Sequence, residues 1–451
     1  MQNNNPGQQS IRATRAGLAF VLLLAGALAK GQPGPPPPAA ATGSSQESLT
    51  LALARYDQAI EDELYNEAAA ASKLYISALL QEPDFDRKEW GMALGRLGQA
   101  QHYAGEFDAA IENYVLAVEV IESETNRLDP LLSEPLLGLS RTLEVSGDYR
   151  AAVASYKRLL HVQQVNQGLH TLEQGQALNE LSEVYFRLGD YQRANALQQS
   201  YVSIYISNFP GDNLQQLPAL YSRADMQYKT RHLIDAQLSY RRIISMIERA
   251  DGTQSLYLLP AIYRISDLLQ NNRIKDGIEG SYVARRYLRR AVYIAEHHDG
   301  ASNLERADAL IAMGDYLNLR TGDRRAAMRK YVAAWQHLNA DDSLGVESDA
   351  RFGSPIQLND PPSTTTPAMR LLLMSSQLDL DDAFDRLVVR YDIDADGRTR
   401  NIELIEGDAA GYWDSIIVDH VDRFVFRPAL VDGEPAEISE RLYEIRYSRQ
   451  D

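Results

Sequence analysis

The 451-residue chain contains no cysteine, so it can form neither a disulfide nor a cysteine-linked lipid anchor, and its stability must come from packing alone. Basic residues are also few: 45 Lys and Arg stand against 62 Asp and Glu, which gives a formal net charge of −17. A nucleic-acid-binding role would need a basic patch, and the sequence shows none of that kind. After the first 29 residues, no stretch is long and apolar enough to span a membrane.

The sequence also lacks the short motifs of common catalytic sites. No nucleophile elbow, phosphate-cradling glycine loop or metalloprotease motif occurs. The 8 histidines form no metal-ligand pattern. The adjacent His297 and His298 would point about 100° apart on a helix. We therefore predict no enzymatic activity, no cofactor and no metal site; a catalytic site assembled from scattered residues is the alternative.

The N-terminus has the features of a secretory signal peptide. Arg12 and Arg15 precede an apolar stretch from Gly17 to Leu28, and small residues for cleavage follow at Ala27-Leu28-Ala29. We predict a cleaved signal peptide over residues 1–29. The alternative is an uncleaved anchor, but fourteen residues would form a helix of roughly 21 Å, against about 30 Å of hydrocarbon.

Beyond this segment the chain contains a repeat of 42 residues. Five alanines recur at this spacing, and two more follow with insertions, so the series reads Ala68, Ala110, Ala152, Ala194, Ala236, Ala284 and Ala327. Before several of them, a Gly-Asp-Tyr or Gly-Glu-Phe sequence separates two helices, because glycine gives backbone freedom and the acid can cap a helix. After most of them an aromatic residue follows by four: Tyr114, Tyr156, Tyr240 and Tyr331. A fixed period of this size is typical of stacked identical units.

Small residues at the alanines and at Gly98, Ser140 and Ser182 would let two helices cross closely. The pattern resembles the tetratricopeptide repeat, a helical hairpin with small residues at the crossing and an aromatic after the turn. The usual period is about 34, so roughly eight extra residues imply about one more turn on each helix. The resemblance implies an all-α solenoid of about seven hairpins over residues 46–338, with a groove that holds a protein or peptide.

Some positions depart from the repeat. Glu63 and Arg231 stand where other turns have glycine, and a polar turn is predicted from Gln270 to Ser281. The basic run from Arg285 to Arg290 is predicted to be a solvated helix face, with an acidic partner or anionic lipid as the alternative. The Pro-rich residues 30–45 are predicted to be an extended linker; the alternative is a motif that binds a partner.

The last part of the chain has the period of strands. Leu387 to Asp394 alternates, Asp396-Gly397 favours a hairpin turn, and Arg398 to Glu406 alternates again. Gly411 to Arg423 then has helical spacing, and Ile438 to Tyr447 is strand-like. This predicts a small α+β domain of order β-β-α-β.

A segment of different composition joins the two regions. Residues 339–367 are rich in Asp, Gly, Pro, Ser and Thr, which predicts a linker or an extended segment lying on a neighbour. Phe352, Ile356 and Leu358 could anchor such a segment. The chain is therefore predicted to be multi-domain, with the α+β domain occupying residues 368–451.

Two sequences in this domain are distinctive: Tyr391-Asp392-Ile393-Asp394-Ala395-Asp396-Gly397 and Phe424-Val425-Phe426-Arg427-Pro428-Ala429. With the β-β-α-β order, they resemble the carboxy-terminal domain of the TonB energy-transducer family, over roughly Asp385 to Tyr447. In that family the domain is periplasmic, and its last strand pairs with a short extended segment of outer-membrane transporters. The resemblance implies a Gram-negative periplasmic location and a pairing strand with these residues: Ile438, Leu442, Tyr443, Glu444, Ile445, Arg446 and Tyr447.

Together these features predict a non-enzymatic interaction scaffold of the cell envelope, without nucleic acid and without a membrane span in the mature chain. The solenoid would bind one protein or peptide, and the terminal domain another, such as an outer-membrane transporter or another envelope protein. The alternative is a membrane-anchored energy transducer. Family transducers carry a true transmembrane helix and a long Pro-rich spacer, whereas here the apolar segment is short and helical hairpins replace the spacer.

The loop from Asp392 to Glu403 also fits the calcium-binding pattern D-x-D-x-D-G-x5-E. An EF-hand loop needs flanking helices, but both flanks here have strand patterns. Arg398 and Arg400 would also place positive charge in the loop. We predict a hairpin turn with solvated carboxylates.

Overall fold

The computed structural model describes residues 42–271, 277–359, 384–406 and 412–448, and these form two compact units that divide between Gly211 and Asp212. The predicted signal peptide lies outside the described residues, as does the predicted N-terminal linker up to residue 41. Residues 42–45 belong to the first turn of a helix rather than to the linker. In the described ranges, no helix combines the length and the apolar character needed to cross a membrane.

The first unit consists, in its described part, of four helical hairpins. Their helices are α1 Thr42–Glu61, α2 Tyr65–Leu79, α3 Arg87–Tyr103, α4 Phe107–Glu124, α5 Ser133–Val145, α6 Tyr149–Gln167, α7 Leu172–Arg187 and α8 Tyr191–Asn208. Successive helices pack against each other within a hairpin and between neighbouring hairpins. This is the arrangement that the 42-residue period predicts.

The second unit begins with three more hairpins in its described residues. Their helices are α9 Leu217–Lys229, α10 Leu233–Asp251, α11 Leu258–Asn271, α12 Gly277–His297, α13 Asn303–Tyr316 and α14 Arg324–Asn339. Because α12 already begins at Gly277, the polar turn predicted through Ser281 is shorter than expected; residues 272–276 lie outside the described part. A five-residue π-helix, Leu317–Thr321, follows α13.

The hairpin turns in the described part of the chain each place one residue in the left-handed backbone region. At Gly189, φ is +76°, and the next amide, Asp190 N, donates to Tyr185 O at 2.9 Å. Arg231 adopts the same left-handed conformation with φ +65°, and His232 N donates to Gln227 O at 2.8 Å. The turn geometry is therefore set by the helix pair and not by glycine alone.

The segment predicted as a linker over residues 339–367 is structured up to residue 359. It contains helix α15, Gly345–Phe352, and strand β1, Ile356–Gln357. Phe352 is buried with its ring 6.3 Å from that of Tyr331 on α14. The buried Phe352 anchors the segment, as expected for a segment that lies on a neighbouring element. Residues 360–383 lie outside the described part.

The C-terminal region contains a small sheet region, as predicted, but with more strands than the order β-β-α-β. Its elements are β2 Phe384–Ile393, β3 Thr399–Glu406, α16 Tyr412–Asp422, β4 Phe426–Arg427, β5 Ala429–Val431, β6 Glu434–Ala436 and β7 Ile438–Ser448. The main sheet has the antiparallel order β3-β2-β7. The extra strands arise because Asp432 and Gly433, both with positive φ, turn β5 back onto β6, and because β4 pairs with β1.

The core of this region lies between the main sheet and α16. Leu387, Val389 and Tyr391 of β2 are buried on one face and pack with Ile417 and Val421 of the helix. The alternation along β2 therefore places these three side chains in this core, and Val388, which points to the opposite face, is also buried. Tyr443 of β7 is partly buried against the same cluster.

Candidate binding surfaces

The seven repeat alanines all lie at buried positions. Each is no more than 1% exposed: Ala68, Ala110, Ala152, Ala194, Ala236, Ala284 and Ala327. They occupy the second helix of each hairpin, where it faces the first. A larger side chain would have to displace a neighbouring helix there.

Three of the repeat tyrosines are buried and donate a hydrogen bond to a carboxylate. The Oη atom of Tyr156 lies 3.0 Å from Glu180, that of Tyr240 lies 2.5 Å from Asp225, and that of Tyr331 lies 3.0 Å from Asp315. Burial raises the pKa of all three hydroxyls, so they remain protonated donors. In these three hairpins, a phenol–carboxylate bond thus fixes the second helix to a first helix.

Each of these carboxylates is also paired with an arginine. Glu180 accepts two bonds from Arg141. Asp225 is bridged by Arg264 at 3.0 Å. Positions 141 and 180 correspond to 225 and 264 after two periods, so the acid and the base have exchanged places while the cluster is kept. The pair is a repeat feature of the array and not of one hairpin.

The last hairpin obtains its arginine from the C-terminal region. Arg427 on β4 bridges Asp315 with contacts of 3.0 and 2.6 Å, and its guanidinium lies 6.0 Å from the ring centre of Phe352. The buried Asn318 in the π-helix donates to Phe426 O at 2.9 Å. Asp315 lies 16 residues before Tyr331, whereas Asp225 lies 15 before Tyr240, and the π-helix accommodates the additional residue.

Tyr114 of the second hairpin lacks the corresponding cluster, and a cavity lies there between the second and third hairpins instead. The equivalent of Arg141 one period earlier is Gln99, and the equivalent of Glu180 is Gly138. A cavity of about 320 Å³ lies between helices α3 and α5 and is lined by Tyr114, Gly138 and Gln99 among others. A Cβ atom at Gly138 would lie 2.2 Å from Cζ of Tyr114, so the tyrosine ring fills the space of a side chain.

Strand β7 forms one edge of the main sheet in the described residues. It pairs with β2 in antiparallel register from Ile438 to Ser448. Leu442 is 61% exposed, whereas Tyr443 faces the core and its hydroxyl lies 3.2 Å from Nε2 of His420. Glu444 is exposed. For the remaining candidates, Ile445, Arg446 and Tyr447, the backbone is in the strand and the side chains are outside the described part.

The calcium-like loop is a hairpin turn between β2 and β3. Asp394 Oδ1 accepts from the amides of Asp396 and Arg398 at 3.0 and 2.9 Å, and its Oδ2 accepts from Arg400 at 2.9 Å. Asp392 accepts from Asn401 and from the Glu440 amide. These carboxylates organise the turn through backbone and arginine donors. In the described part of the chain, no group of three or more His, Cys, Asp or Glu residues could hold a metal ion.

Sequence reasoning missed the tyrosine–acid–arginine clusters and the cavity. The 42-residue alignment could have revealed them, because positions 99, 141 and 225, and likewise 138, 180 and 264, fall in register. The contact between Arg427 and Asp315 joins residues 112 apart, outside any repeat, and no local pattern indicates it.

No protein-family model matches this chain, and no curated protein sequence matches it. Among solved structures, similar chains include BtubC from P. vanneervenii, at 14% identity over 47% of this chain and 91% of that chain, with a TM-score of 0.40. The quorum sensor NprR from B. thuringiensis is 13% identical over 66% of this chain and 78% of its own, with a TM-score of 0.40. A signal-transduction ATPase with a tetratricopeptide repeat sensor from Pyrococcus horikoshii is 13% identical over 68% of this chain and 44% of its own, with a TM-score of 0.47. The similarity is low in each case, and no functional conclusion is drawn from it.

Proposed function

We propose that this protein is a non-enzymatic interaction scaffold of the cell envelope. Its helical hairpins bind one protein or peptide, and its TonB-like C-terminal domain pairs with an extended segment of another. The observation that carries the proposal is the position of β7 at the edge of the sheet β3-β2-β7. An edge strand presents backbone donors and acceptors to which a guest strand can add.

The intramolecular contacts of the domain support this use of β7. The region docks onto the seventh hairpin through β4, which pairs with β1 and carries Arg427. Gly433, in the turn between β5 and β6, approaches the ring of Trp335 on α14. These contacts use β4 and the β5–β6 turn, and among the described strands β7 lies at the sheet edge.

Proline substitution tests the edge-pairing mechanism. Successive residues of a strand direct their N–H groups to opposite edges. Arg441 and Leu442 are successive, so one of the variants Arg441→Pro and Leu442→Pro removes an N–H group that points away from the sheet. The other removes an N–H group that points toward β2. The variant that keeps the wild-type circular dichroism is the outward one. We expect it to lose the extended-segment partner that the wild-type full chain captures from envelope extract, while alanine at the same position retains it. Capture equal to wild type by the folded proline variant would refute pairing through β7.

The location is tested separately, at the N-terminus of the protein recovered from cells. The apolar residues 16–29 and the small residues before Lys30 support export with cleavage. A mature chain that begins near Lys30 in the periplasmic fraction is the expected result. A chain that keeps these residues and sediments with membranes would favour the anchored energy transducer instead.

A further inference from the structure

The cavity between the second and third hairpins is the place where the repeated tyrosine–carboxylate contact is incomplete. Tyr114 is the repeat equivalent of Tyr156, Tyr240 and Tyr331, whose hydroxyls all donate to a carboxylate. Tyr114 is only 4% exposed, yet in the described part of the chain its hydroxyl has no hydrogen-bond partner. Unlike the hydroxyls of Tyr221 and Tyr263, which are buried without a partner, the Tyr114 hydroxyl borders an open cavity in which an acceptor can reach it.

The missing acceptor follows from two substitutions in the repeat. The acid is provided by position 180 in one cluster and by position 225 in another, and the equivalents beside Tyr114 are Gly138 and Gln99. Gly138 has no side chain, and Gln99 Oε1 already accepts from Tyr56 at 2.7 Å. Among the described residues, no hydrogen bond joins the Tyr114 hydroxyl to an acceptor, although the carboxylate of Glu134 also lines the cavity of about 320 Å³.

The walls of the cavity combine apolar surface with charged groups. Met92, Leu131 and Leu137 contribute apolar surface, Arg96 and Arg141 contribute positive charge, and Glu134 contributes negative charge. Both arginines are held in place by ion pairs, Arg96 with Glu89 at 2.9 Å and Arg141 with Glu180 at 2.6 Å. Burial raises the pKa of Tyr114, so its hydroxyl is available as a donor.

We infer that this cavity binds a carboxylate of a partner peptide, which accepts a hydrogen bond from Tyr114 and so completes the contact that Tyr156, Tyr240 and Tyr331 make within the chain. The inference rests on the proposed role of the hairpins as a peptide-binding surface. It specifies the chemistry of the ligand: a carboxylate, either of an acidic side chain or of a chain terminus, carried on an apolar group.

Fluorine NMR on the full chain can test this with 4-fluorophenylacetate and the matched neutral 4-fluorophenylacetamide. We expect the carboxylate to bind at least roughly tenfold more tightly than the amide, because hydrogen bonds to charged groups are stronger than neutral ones. Tyr114→Phe should weaken the carboxylate roughly tenfold and leave the amide unchanged. Tyr240→Phe is the matched control, because its acceptor Asp225 lies within the chain and neither residue lines the cavity, and it should bind both probes as wild type does.

A second variant keeps the test valid if Tyr114→Phe alters folding. Gln99→Glu is isosteric, can still accept from Tyr56, and places a carboxylate beside the cavity. It should abolish binding of the carboxylate probe and spare the amide. Equal affinity of the two probes, an equal effect of Tyr240→Phe, or no binding of the carboxylate at millimolar concentration would each overturn the inference.

Two peptides distinguish the source of the carboxylate. N-acetyl-Ala-Glu-Ala-amide carries only a side-chain carboxylate, and N-acetyl-Ala-Gln-Ala with a free terminus carries only a terminal one. Displacement of the bound probe by one of them supports the inference and assigns the source; displacement by neither overturns it. If the probes fail while the β7 edge still captures its partner, the carboxylate site is wrong and the scaffold function stands.

Discussion

At the residue scale, the left-handed turn position shows how much the repeat depends on backbone conformation. Most hairpin turns place glycine there, but Glu63 and Arg231 adopt φ of +56° and +65°. A side chain in this region costs about 1–2 kcal/mol relative to glycine. The helix packing on both sides of these turns must offset that cost.

We therefore expect Arg231→Gly to raise the free energy of unfolding by about 1 kcal/mol, because it removes the strain without removing a buried contact. Chemical denaturation of the full chain measures the change. Gly147→Ala is the reverse control: with φ of +86°, it should destabilise by a similar amount. A destabilised Arg231→Gly variant would mean that the arginine side chain contributes more than its backbone costs.

His420 gives the C-terminal domain a dependence on pH. The ring is buried against Phe424 and Tyr443, and burial, with a smaller effect of Arg423, lowers its pKa from 6.5 to about 4. The unfolded chain then binds a proton more readily than the folded one. The stabilisation is full above about pH 6.5 and is lost as the pH falls toward 4, by up to about 3 kcal/mol.

Hydrogen exchange of β7 and α16 between pH 7 and pH 4, corrected for the intrinsic exchange rate, measures this loss. The variant His420→Gln cannot titrate, so its pH dependence over the same range should be weaker. Equal pH dependence in both proteins would assign the effect to other groups of the domain.

At the element scale, the arginine and the carboxylate of a pair can exchange positions, because two clusters of the array already differ in this way. Arg141 and Glu180 occupy the positions that Asp225 and Arg264 occupy two periods later, with the signs reversed. Both arrangements leave a carboxylate for the buried tyrosine. The cluster therefore depends on the presence of one acid and one base and not on their order.

We expect Arg141→Glu and Glu180→Arg each to lower the free energy of unfolding by about 1–3 kcal/mol, since each brings like charges together beside Tyr156. The double variant should recover most of the loss, because the carboxylate introduced at position 141 would then accept from the tyrosine as Asp225 does. Thermal unfolding of the four proteins forms a double-mutant cycle. Additive losses in the double variant would contradict the interchangeability of the two positions.

The helical hairpins and the terminal hairpin could be predicted because their signals are local. Gly189-Asp190-Tyr191 marks a turn and Ala194 a close crossing, and the period repeats both. Asp394 to Gly397 likewise specifies its own turn. By contrast, strands β1 and β4 are two residues each, and they exist because distant segments meet. No periodicity in so short a stretch distinguishes a strand from a linker.

At the scale of the whole molecule, the array must end, and in the second compact unit the C-terminal region supplies that end. Asp315 would face a following hairpin if the repeat continued, and its carboxylate already accepts from Tyr331. Arg427 provides the cation in place of the missing hairpin, and Asn318 fixes the backbone of β4 beside it. The distinctive Phe-Val-Phe-Arg-Pro-Ala sequence therefore has an intramolecular role in this chain.

Arg427→Ala tests that role, because it leaves the largely buried Asp315 without its cation. Removing one partner of such a pair costs about 3–5 kcal/mol, and the loss should fall on the contact between the seventh hairpin and β4. We expect faster hydrogen exchange in Leu317–Thr321 and β4, with the first unit unchanged. Arg324→Ala is the control: its ion pair with Asp396 spans 3.9 Å at an exposed site, so it should change little. If both variants exchange as wild type does, the C-terminal region is held by its apolar contacts, and the arginine is not what closes the array.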